Sequence, residues 1–418
     1  MLVFKFGGAS VKDAVGLVNL ANVVKKYEGN HLLIVVSAMG KTTNVLEKLV
    51  KAFVDHDNQL YSIFNDIKQY HHEILWELFE PSHPIFNDIV NAFVEIDWII
   101  EDDPHENYDF VYDQIVSIGE MVSTRIVNAY LNKAGVKSQW LDVRDFIHTD
   151  NTYREGVVLW DKTQASISHD IPAMLEKGPI VTQGFLGGTS ENFTTTLGRE
   201  GSDYTAAIFA ACLGAESVTT WKDVPGILNA DPKFFEDTVK FDELSYTEAI
   251  EMTYYGASVI HPKTIKPLQN ARIPLLVKPF ADPGAPGTII SENAVNQYTK
   301  PVIILKQNQV LMSVSAKDYS FISENHLSEI FRFFAQNQIK VNMMQTSALS
   351  FSVCFDFYEE RFNRLLTELN QNFKVKYNNG LSLITVRHYS DASLRELKND
   401  KTILLEQVSR NTIQMIVK

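Results

Sequence analysis

The sequence predicts an α/β protein with a largely parallel central sheet, followed by smaller ferredoxin-like α+β units. In the first two thirds, short apolar strands alternate with glycine turns and stretches of helical periodicity, which is typical of a parallel sheet. After about Ser291 the pattern changes, and from Val310 onward the predicted order is β-α-β-β-α-β, the signature of the ferredoxin-like fold. The length of 418 residues is enough for two or three domains.

The N-terminal residues predict a β-α-β unit. A β-rich run at 2–6 is followed by glycines, by helical periodicity over 11–27 and by a buried strand at 31–36. Residues 43–118 contain no convincing strand, because their apolar residues recur at helical spacing and prolines interrupt them. We therefore expect several helices in this segment, packed on one side of the sheet.

The α/β pattern resumes beyond this helical segment. Helices are expected over 119–131, 202–213 and 247–255, and strands over 138–141, 179–183, 217–221 and 273–278. A glycine- and threonine-rich loop fills 184–201. The proline- and glycine-rich run at 282–287 indicates a loop near a domain end.

The C-terminal part predicts two tandem small units. The first has expected strands at 310–314, 341–344, 349–357 and 375–377, and helices at 326–337 and 359–371. The second, shorter round comprises 381–386, 392–397, 402–408 and 412–417. It is incomplete by itself, and borrowing the strand at 302–305 would complete its sheet.

Composition excludes several classes of protein. The chain carries 38 Lys and Arg against 51 Asp and Glu, a net charge of −13, so it lacks the basic footprint of a nucleic-acid or anionic-lipid binder. No apolar stretch approaches the roughly 18–20 residues of a membrane helix, and the N-terminus is not that of a signal peptide. We expect a cytoplasmic protein, without nucleic-acid or membrane partners, whose two cysteines, Cys212 and Cys354, are buried free thiols.

Two loops that follow predicted strands have the composition of anion sites. The first reads Lys5-Phe6-Gly7-Gly8-Ala9-Ser10, and its glycines, helix N-terminus and lysine together predict a phosphate cradle. A tight turn with nothing bound is the alternative. The second reads Ser37-Ala38-Met39-Gly40-Lys41-Thr42-Thr43 and is not a P-loop, because Val35 stands where that motif needs glycine. It is either a ligand loop at a strand end or a helix N-cap.

Two further segments point to charged ligands. The loop over 184–203 combines glycines and threonines with Arg199, which can grip a carboxylate or phosphate bidentately, while its Ser-Asp pair can simply cap a helix. After the next strand, Trp221-Lys222-Asp223 together with Lys233 suits a nucleotide rim or forms a solvated turn. Zinc-ligand spacing, a Gly-x-Ser-x-Gly elbow and a Gly-x-Gly-x-x-Gly turn after the first strand are absent.

Taken together, these strings resemble the motifs of monofunctional aspartate kinases, members of the amino-acid kinase family with C-terminal ACT domains. The opening resembles their Lys-Phe-Gly-Gly-Thr-Ser-Val, and the run at 196–206 is similar to their most diagnostic string. The segments at 117–120, 221–227 and 255–262 match in order and spacing, so the resemblance covers essentially the whole chain. It implies an amino-acid-kinase-type sandwich that uses ATP with Mg²⁺ to phosphorylate the L-aspartate side chain, the first step toward lysine, threonine and methionine.

The resemblance also implies roles for individual residues. It makes Lys5 and Asp203 catalytic, with the lysine at the transferring phosphoryl group. Its substrate-binding positions are Ser37, Thr43, Glu120, Phe185, Arg199 and Ser202. Its ATP-binding positions are Lys5, Gly7, Gly8, Ser10, Lys222, Asp223, Leu228, Lys233 and Ser258. It implies no metal site made by protein side chains alone.

Four residues depart from the family pattern and bear on the nucleotide contacts: Ala9 for Thr, Leu228 for Tyr, Lys233 for Arg and Ser258 for Lys. The chemistry fits the remaining residues. The substrate carboxylate, with an ordinary pKa near ~3.9, is already ionised and needs no general base. Glu120 can pair with the substrate ammonium while Arg199 takes its α-carboxylate, which would select an amino-acid zwitterion.

The resemblance implies a catalytic domain over 1–292, with its helical segment at about 43–135, and a regulatory region over 293–418. That region holds two ACT-like units, about 308–378 and 300–306 with 379–418, the latter shortened. Its effector positions are Ser323, His326, Leu327, Val341, Asn342, Thr346 and Ser347. We expect lysine as the effector, although Asn342 stands where lysine-sensitive relatives carry aspartate; threonine, another amino acid, or an assembly module without an effector are the alternatives. A homo-oligomer, dimer or tetramer, is expected through this region.

Two other functions compete with this interpretation. One is another amino-acid kinase, acting on glutamate, acetylglutamate, a nucleotide monophosphate or carbamate, which the strings around Glu120 and Arg199 and the ACT-like tail argue against. The other is a catalytically silent amino-acid sensor, which the intact Lys5 and the motif at 199–203 disfavour.

Overall fold

The computed structural model describes residues 1–257, 260–294, 300–318, 320–399 and 401–418. The chain divides into two compact units. The first comprises Met1–Ile227, Lys240–Ile250 and Val259–Asn296. The second comprises Leu228–Val239, Glu251–Ser258 and Gln297–Lys418.

The strands, numbered along the chain, are β1 Leu2–Phe6, β2 Leu32–Val36, β3 Gln139–Leu141, β4 Ile180–Gln183, β5 Leu186–Gly188, β6 Thr194–Thr196, β7 Ser217–Lys222, β8 Glu243–Ser245, β9 Leu275–Pro279, β10 Thr288–Ser291, β11 Val302–Ala316, β12 Val341–Thr346, β13 Phe351–Asp356, β14 Phe373–Arg387, β15 Ile403–Val408 and β16 Thr412–Val417.

The helices are α1 Ala14–Lys25, α2 Thr42–Val54, α3 Leu60–Leu78, α4 Ile85–Glu101, α5 Tyr108–Val116, α6 Ile118–Lys133, α7 Trp160–Leu175, α8 Gly201–Leu213, α9 Tyr246–Tyr255, α10 Pro262–Ala271, α11 Glu324–Gln336, α12 Glu359–Asn372 and α13 Asp391–Lys398. Short 3₁₀ turns lie at Gly8–Val11 and Val143–Asp145. Among the described residues, none of the helices combines the length and the apolar character that crossing a bilayer requires.

The central sheet of the first unit has the strand order β3-β4-β2-β1-β7-β9-β10-β8. Neighbouring strands run parallel except β9 and β10, which are antiparallel. All five residues of β2 are buried, and so are four of the five in β1, because both faces of a parallel sheet are covered. The predicted largely parallel sheet is confirmed.

One large apolar cluster joins β1 and β2 to the helices α1 to α6. Its members include Leu46, Phe64, Ile89 and Ile115, each at most 1% exposed. Full burial of side chains of this size contributes roughly 1.5–3 kcal/mol each. The prediction that 43–118 is helical without strands is therefore confirmed, with α2 to α5 in that span.

The second unit contains one antiparallel sheet of order β12-β13-β11-β14-β16-β15. The sequence predicts separate strands at 302–305 and 310–314, but the structure has the single strand β11. It likewise predicts separate strands at 375–377 and 381–386, but the structure has β14. Both predictions of separate strands are wrong, since β11 and β14 pair along most of their length with register shifts around Gln309. The first part of β11, from Val302 to Lys306, pairs with the last part of β14.

Several elements were not predicted. The loop over 184–201 contains a hairpin formed by β5 and β6. Four further elements have no counterpart among the expected ones: α7, α10, β8 and β10. Helix α10 packs against α8. Both cysteines are buried and free, as expected. Burial raises the pKa of Cys212 to about 11 and that of Cys354 to about 12.

Candidate active site

Four neighbouring parallel strands of the first unit end at the same edge of its sheet. Lys5 lies near the end of β1 and Lys222 at the end of β7, while Ser37 follows β2 and Gly184 follows β4. The Ser37 amide donates to Phe6 O at 3.1 Å, and the Gly184 amide donates to Val36 O at 2.9 Å. Ligands of open α/β sheets bind at this edge, where the loops diverge. The structure therefore brings the four predicted segments together.

A buried carboxylate lies between two lysines at this edge. Asp203 is 3% exposed, and its Oδ1 lies 2.7 Å from Lys5 Nζ while its Oδ2 lies 3.6 Å from Lys222 Nζ. Burial alone would raise the pKa of Asp203, but the charges and hydrogen bonds of the two lysines outweigh it and lower that pKa. The cluster thus places two lysine ammonium groups around one buried carboxylate.

The glycine turn after β1 lies close to this cluster. A Cβ on Gly7 would come within 3.6 Å of Lys5 Nζ, and a Cβ on Gly8 would lie 2.7 Å from the carbonyl oxygens of both Ala38 and Gly40. The Gly40 amide donates to Gly8 O at 3.0 Å, so the first and second predicted loops pack backbone to backbone. Only glycine fits at position 8, because the backbone of the second loop leaves no room for a side chain there.

Asp203 occupies the first turn of α8, which begins after a strained turn. Gly198 has φ +80° and Glu200 has φ +56°, a region that glycine tolerates and glutamate adopts at a cost. A Cβ on Gly184 would lie 2.4 Å from that of Ser202, so β4 and α8 approach closely here. One carboxylate oxygen of Glu200, Oε2, is buried without a hydrogen-bond partner among the described residues.

Glu120, in the first turn of α6, has a buried carboxyl group of which only one oxygen is hydrogen-bonded within the described residues. It is 2% exposed, and its Oε1 accepts a hydrogen bond of 3.3 Å from the Ala38 amide. Its Oε2 has no partner among the described residues. Burial raises the pKa of Glu120 to about 8, although the amide hydrogen bonds act to lower it. A cationic group bound here would satisfy the free oxygen and restore the charged form.

Three of the other predicted substrate residues, Thr43, Phe185 and Arg199, have more exposed side chains than Glu120. Thr43 is half-buried in the first turn of α2, where its neighbour Thr42 donates instead to Met39 O at 2.6 Å. Phe185 is half-buried with φ +73°, and Arg199 is exposed. Within the described part of the chain, Arg199 forms no ion pair, so its guanidinium is available to an anion.

The predicted nucleotide residues are distributed over both compact units. Ser10 donates to Trp221 O at 3.4 Å, and Asp223 is exposed directly after β7. Leu228 and Lys233 belong to the second compact unit. Ser258 lies outside the described residues.

Sequence reasoning missed Asp113, on α5. This aspartate is 0% exposed, and burial raises its pKa to about 6 although several donors act to lower it. In the sequence, Asp113 is marked only by its spacing, seven positions before Glu120, which would place both acidic residues on the same face of a helix. Such a spacing is common on solvated helix faces and is uninformative without the fold.

Comparisons with known proteins agree with this geometry. The family profile described as amino acid kinase family matches residues 1–279. The lysine-sensitive aspartokinase 3 of Escherichia coli is 30% identical over 92% of this chain and 86% of its own length. The chain belongs to the aspartokinases of the amino acid kinase family. Aspartokinase 1 of Arabidopsis thaliana is 33% identical over 92% of this chain and 70% of its own length.

Solved structures of this family match the full chain. The crystal structure of E. coli aspartokinase III with aspartate and ADP has a TM-score of 0.84 at 28% identity, covering 100% of this chain and 96% of that one. The structure of the same enzyme with lysine and aspartate has a TM-score of 0.82 at 28% identity, with the same coverage. The fold of this aspartokinase family member is therefore that of the E. coli enzyme.

The predicted effector residues of this aspartokinase family member lie on α11 and β12 of the second unit. Ser323 caps α11 in a reciprocal capping box with His326, which defines the start of the helix. Leu327 follows in the first turns of that helix, while Val341, Asn342 and Thr346 belong to β12 and Ser347 comes directly after it.

Asn342 has every polar atom of its side chain engaged. Its Oδ1 accepts from Lys306 Nζ at 2.9 Å, and its Nδ2 donates to Gln309 Oε1 at 2.9 Å and to Asp356 Oδ2 at 3.1 Å. Gln309, 0% exposed, also donates to Asp356 Oδ1 at 2.7 Å. We call these four residues the Asn342 network.

Proposed function

We propose that this protein transfers the γ-phosphoryl group of ATP to the side-chain carboxylate of L-aspartate, giving 4-phospho-L-aspartate and ADP. This is the first step toward lysine, threonine and methionine. The observation that carries the proposal is the presence of two buried acidic residues at one sheet edge. Asp203 lies between two lysines, and Glu120 has one carboxylate oxygen without a partner among the described residues. The first suits a phosphoryl group and the second an ammonium group.

Phosphoryl transfer between two anions needs positioning and charge stabilisation more than covalent help from the protein. Lys5 supplies a buried ammonium whose position is fixed by its 2.7 Å contact with Asp203. Lys222 supplies a second ammonium, and the turn at Gly7 lies beside the Lys5 ammonium, where its backbone amides can face the phosphates. These groups are held in place before the reaction, which is where electrostatic stabilisation is most effective.

The protein binds the two backbone charges of aspartate, its ammonium group and its α-carboxylate. Glu120 Oε2 accepts a hydrogen bond from the substrate ammonium, and Arg199 pairs with the α-carboxylate through two parallel N–H groups. Ser37, Thr43, Phe185 and Ser202 line the same edge around them. The β-carboxylate needs no general base because it is ionised at neutral pH.

Mg²⁺ fits this site as a partner of the ATP phosphates. Among the described residues, no group of three or more His, Cys, Asp or Glu forms a cage for a metal ion. Mg²⁺ is usually held by one or two carboxylates together with substrate phosphates and water, so a cage is not needed. When bound, Mg²⁺ would neutralise phosphate charge, while Lys5 and Lys222 hold the phosphoryl group from the protein side.

We assign nucleotide contacts to Ser10, Lys222 and Asp223, and further contacts to Leu228, Lys233 and Ser258 by the family pattern. Residues 1–292 form the catalytic domain in this proposal, and 293–418 form the regulatory region with two ACT-like units. Lysine is the proposed effector, bound by residues of α11 and β12. Support comes from E. coli aspartokinase 3, named lysine-sensitive, and from its complex with lysine. Assembly into a homo-oligomer through this region is part of the same proposal.

The experiment that tests the activity is a coupled ADP-release assay with ATP and Mg²⁺. We expect turnover with L-aspartate and little or none with L-glutamate. Turnover with glutamate alone would make the protein another amino-acid kinase, and no turnover with any amino acid would make it a silent sensor. The same assay at subsaturating aspartate with millimolar lysine or threonine tests the effector. Lack of inhibition by either would leave the C-terminal region as an assembly module.

A further inference from the structure

The buried carboxylate of Asp113 connects three separate segments of the first unit. Its Oδ2 accepts hydrogen bonds from the backbone amides of Arg154 at 2.8 Å and Thr196 at 2.9 Å. Its Oδ1 accepts from the hydroxyl of Thr196 at 2.7 Å. The three hydrogen bonds engage both oxygens of a carboxylate that solvent does not reach, so this side chain is held in one position.

Gln114, the residue after Asp113 on α5, also binds β6 through its side chain, at Thr194. Gln114 Nε2 donates to Thr194 O at 2.9 Å, and the Thr194 amide donates to Gln114 Oε1 at 3.2 Å. The other side of Thr196 is also held, because its carbonyl accepts from the Gly156 amide at 2.8 Å. Strand β6 is therefore attached to α5 through side chains and not only through its hairpin partner β5.

These attachments join the chain segment that leads to Arg199 to the helix that precedes Glu120, and these two residues bind the ends of aspartate in the proposed function. Thr196 is three residues before Arg199, and the chain between them turns through Gly198 at φ +80°. Asp113 is seven residues before Glu120, and α6 begins immediately after α5, at Ile118. A displacement of β6 relative to α5 therefore changes the distance from Arg199 to Glu120.

We propose that Asp113 is a positioning residue that sets the spacing between Arg199 and Glu120, and thereby the affinity and selectivity for aspartate. It touches no substrate and acts only through Thr196 and the segment at Arg154. This inference rests on the proposed function for its kinetic consequences, but the attachment of β6 to α5 does not depend on it.

Asparagine can replace Asp113 without breaking the attachment. The amide oxygen takes the place of Oδ2 and accepts both backbone N–H groups, while the amide NH₂ donates to the Thr196 hydroxyl, which then acts as acceptor. Alanine cannot do this, and it leaves two buried backbone amides without partners. The pair of variants thus separates the geometry from the charge of the residue.

The experiment measures steady-state kinetics and amide hydrogen exchange for Asp113→Ala, Asp113→Asn and the full-length wild type. For Asp113→Ala we expect the KM for aspartate to rise at least tenfold, the KM for ATP to stay within twofold, and the aspartate-to-glutamate selectivity to fall. Amides at 194–199 should exchange at least tenfold faster. Asp113→Asn should restore both readouts to within about threefold of wild type.

Asp109→Ala is the matched control, because it removes an exposed carboxylate of the same helix that pairs with the Arg154 guanidinium at 3.3 Å. We expect it to leave both readouts unchanged. If Asp113→Ala does not fold, Thr196→Val removes only the hydroxyl contact and should raise the KM for aspartate about threefold.

An aspartate KM unchanged in folded Asp113→Ala would overturn the proposal, as would equal increases in the KM for aspartate and for ATP. If the wild type does not phosphorylate aspartate, the proposed function fails, and hydrogen exchange at 194–199 still decides the positioning role. Exchange that is equal in the alanine and asparagine variants would then refute it.

Discussion

In the first compact unit, the carboxylate of Glu120 keeps one oxygen without a protein partner, whereas in the second unit Asn342 has every polar atom engaged. Both side chains belong to residues predicted to bind an amino acid. An unsatisfied buried carboxylate costs free energy of folding, so it persists where a ligand will complete it. A satisfied network instead stabilises its own unit.

The comparison also concerns lysines. In the first unit, the ammonium groups of Lys5 and Lys222 both lie against the carboxylate of Asp203. In the second unit, the ammonium of Lys306 lies against Asn342 Oδ1 and 3.8 Å from Asp356. A chain lysine thus already occupies the polar face of Asn342. The difference teaches that the two predicted ligand sites do not have equal capacity for a further charge.

The largest expected effect is the loss of the Lys5 ammonium in the first unit. Lys5→Ala should lower kcat on the order of 10²-fold or more, because it removes a preorganised ammonium from the transferring phosphoryl group. Steady-state kinetics with saturating ATP and aspartate measure this. Lys68→Ala is the control, since it breaks a partly exposed Lys–Asp pair of 3.0 Å in the same unit and should leave kcat unchanged. Near wild-type kcat in a folded Lys5→Ala enzyme would contradict the assignment.

Next in size is the pH dependence of aspartate binding. Glu120 must ionise to pair with the substrate ammonium, and its pKa in the free protein is about 8. The KM for aspartate should therefore fall as pH rises from 6.5 to about 8 and level off above it. Glu120→Gln should abolish this dependence and raise the KM for aspartate about 10- to 100-fold at pH 8, with the KM for ATP little changed.

The same pKa fixes the sign of a stability effect. Because the folded-state pKa of Glu120 is raised above its ordinary value of 4.5, folding favours the protonated form. The free energy of unfolding should decrease as pH rises from about 4.5 to 8, and Glu120→Gln should lack this part of the decrease. Denaturant titrations across that range measure it, with the exposed Glu73→Gln as control. Identical profiles for wild type and Glu120→Gln would show that Glu120 is not a buried titrating group.

A smaller effect is expected from the Asn342 network. Lys306→Met removes the donor to Asn342 Oδ1 and should lower the free energy of unfolding by about 1–2 kcal/mol, without changing kcat at saturating substrates. Chemical denaturation followed by circular dichroism measures the change. Lys374→Met replaces an exposed lysine of β14 and should change stability by less than about 0.5 kcal/mol. Equal effects of the two substitutions would mean that the network is not stabilising.

The smallest expected effect is on the free energy of unfolding, at two residues whose backbone has a left-handed conformation, one in each unit. Glu200→Gly should raise the free energy of unfolding by about 0.5–1 kcal/mol, because it relieves φ +56° and removes a buried carboxylate oxygen without a partner. Asn308→Gly, at the same φ in β11, should change it less, since asparagine tolerates this region. Thermal unfolding of both variants measures the difference. Destabilisation by Glu200→Gly would indicate that the glutamate side chain makes a stabilising contact.

The differences between the predicted and observed elements have local causes. The polar run around Asn308 and the Asn-Asn-Gly sequence ending at Gly380 both have the composition of turns. In the structure they are irregularities inside continuous strands, with φ +56° at Asn308 and +65° at Gly380. Pairing between β11 and β14 on both sides of the irregularity outweighs the local preference. In α10, Pro267 lies inside a helix that local propensity argues against.

The sequence by itself determined the α/β class, the order of most elements, and the loops that carry the motifs around Lys5, Glu120, Arg199 and Asp203. These follow from short-range periodicity and from glycine, which act within a few residues. Tertiary structure alone decided that Asp203 lies between Lys5 and Lys222, that Glu120 keeps a free oxygen, and that Asp113 joins α5 to β6. Each of these three features depends on which strands become neighbours and on which atoms lose access to water. The spacing of residues along the chain does not determine either of these two conditions.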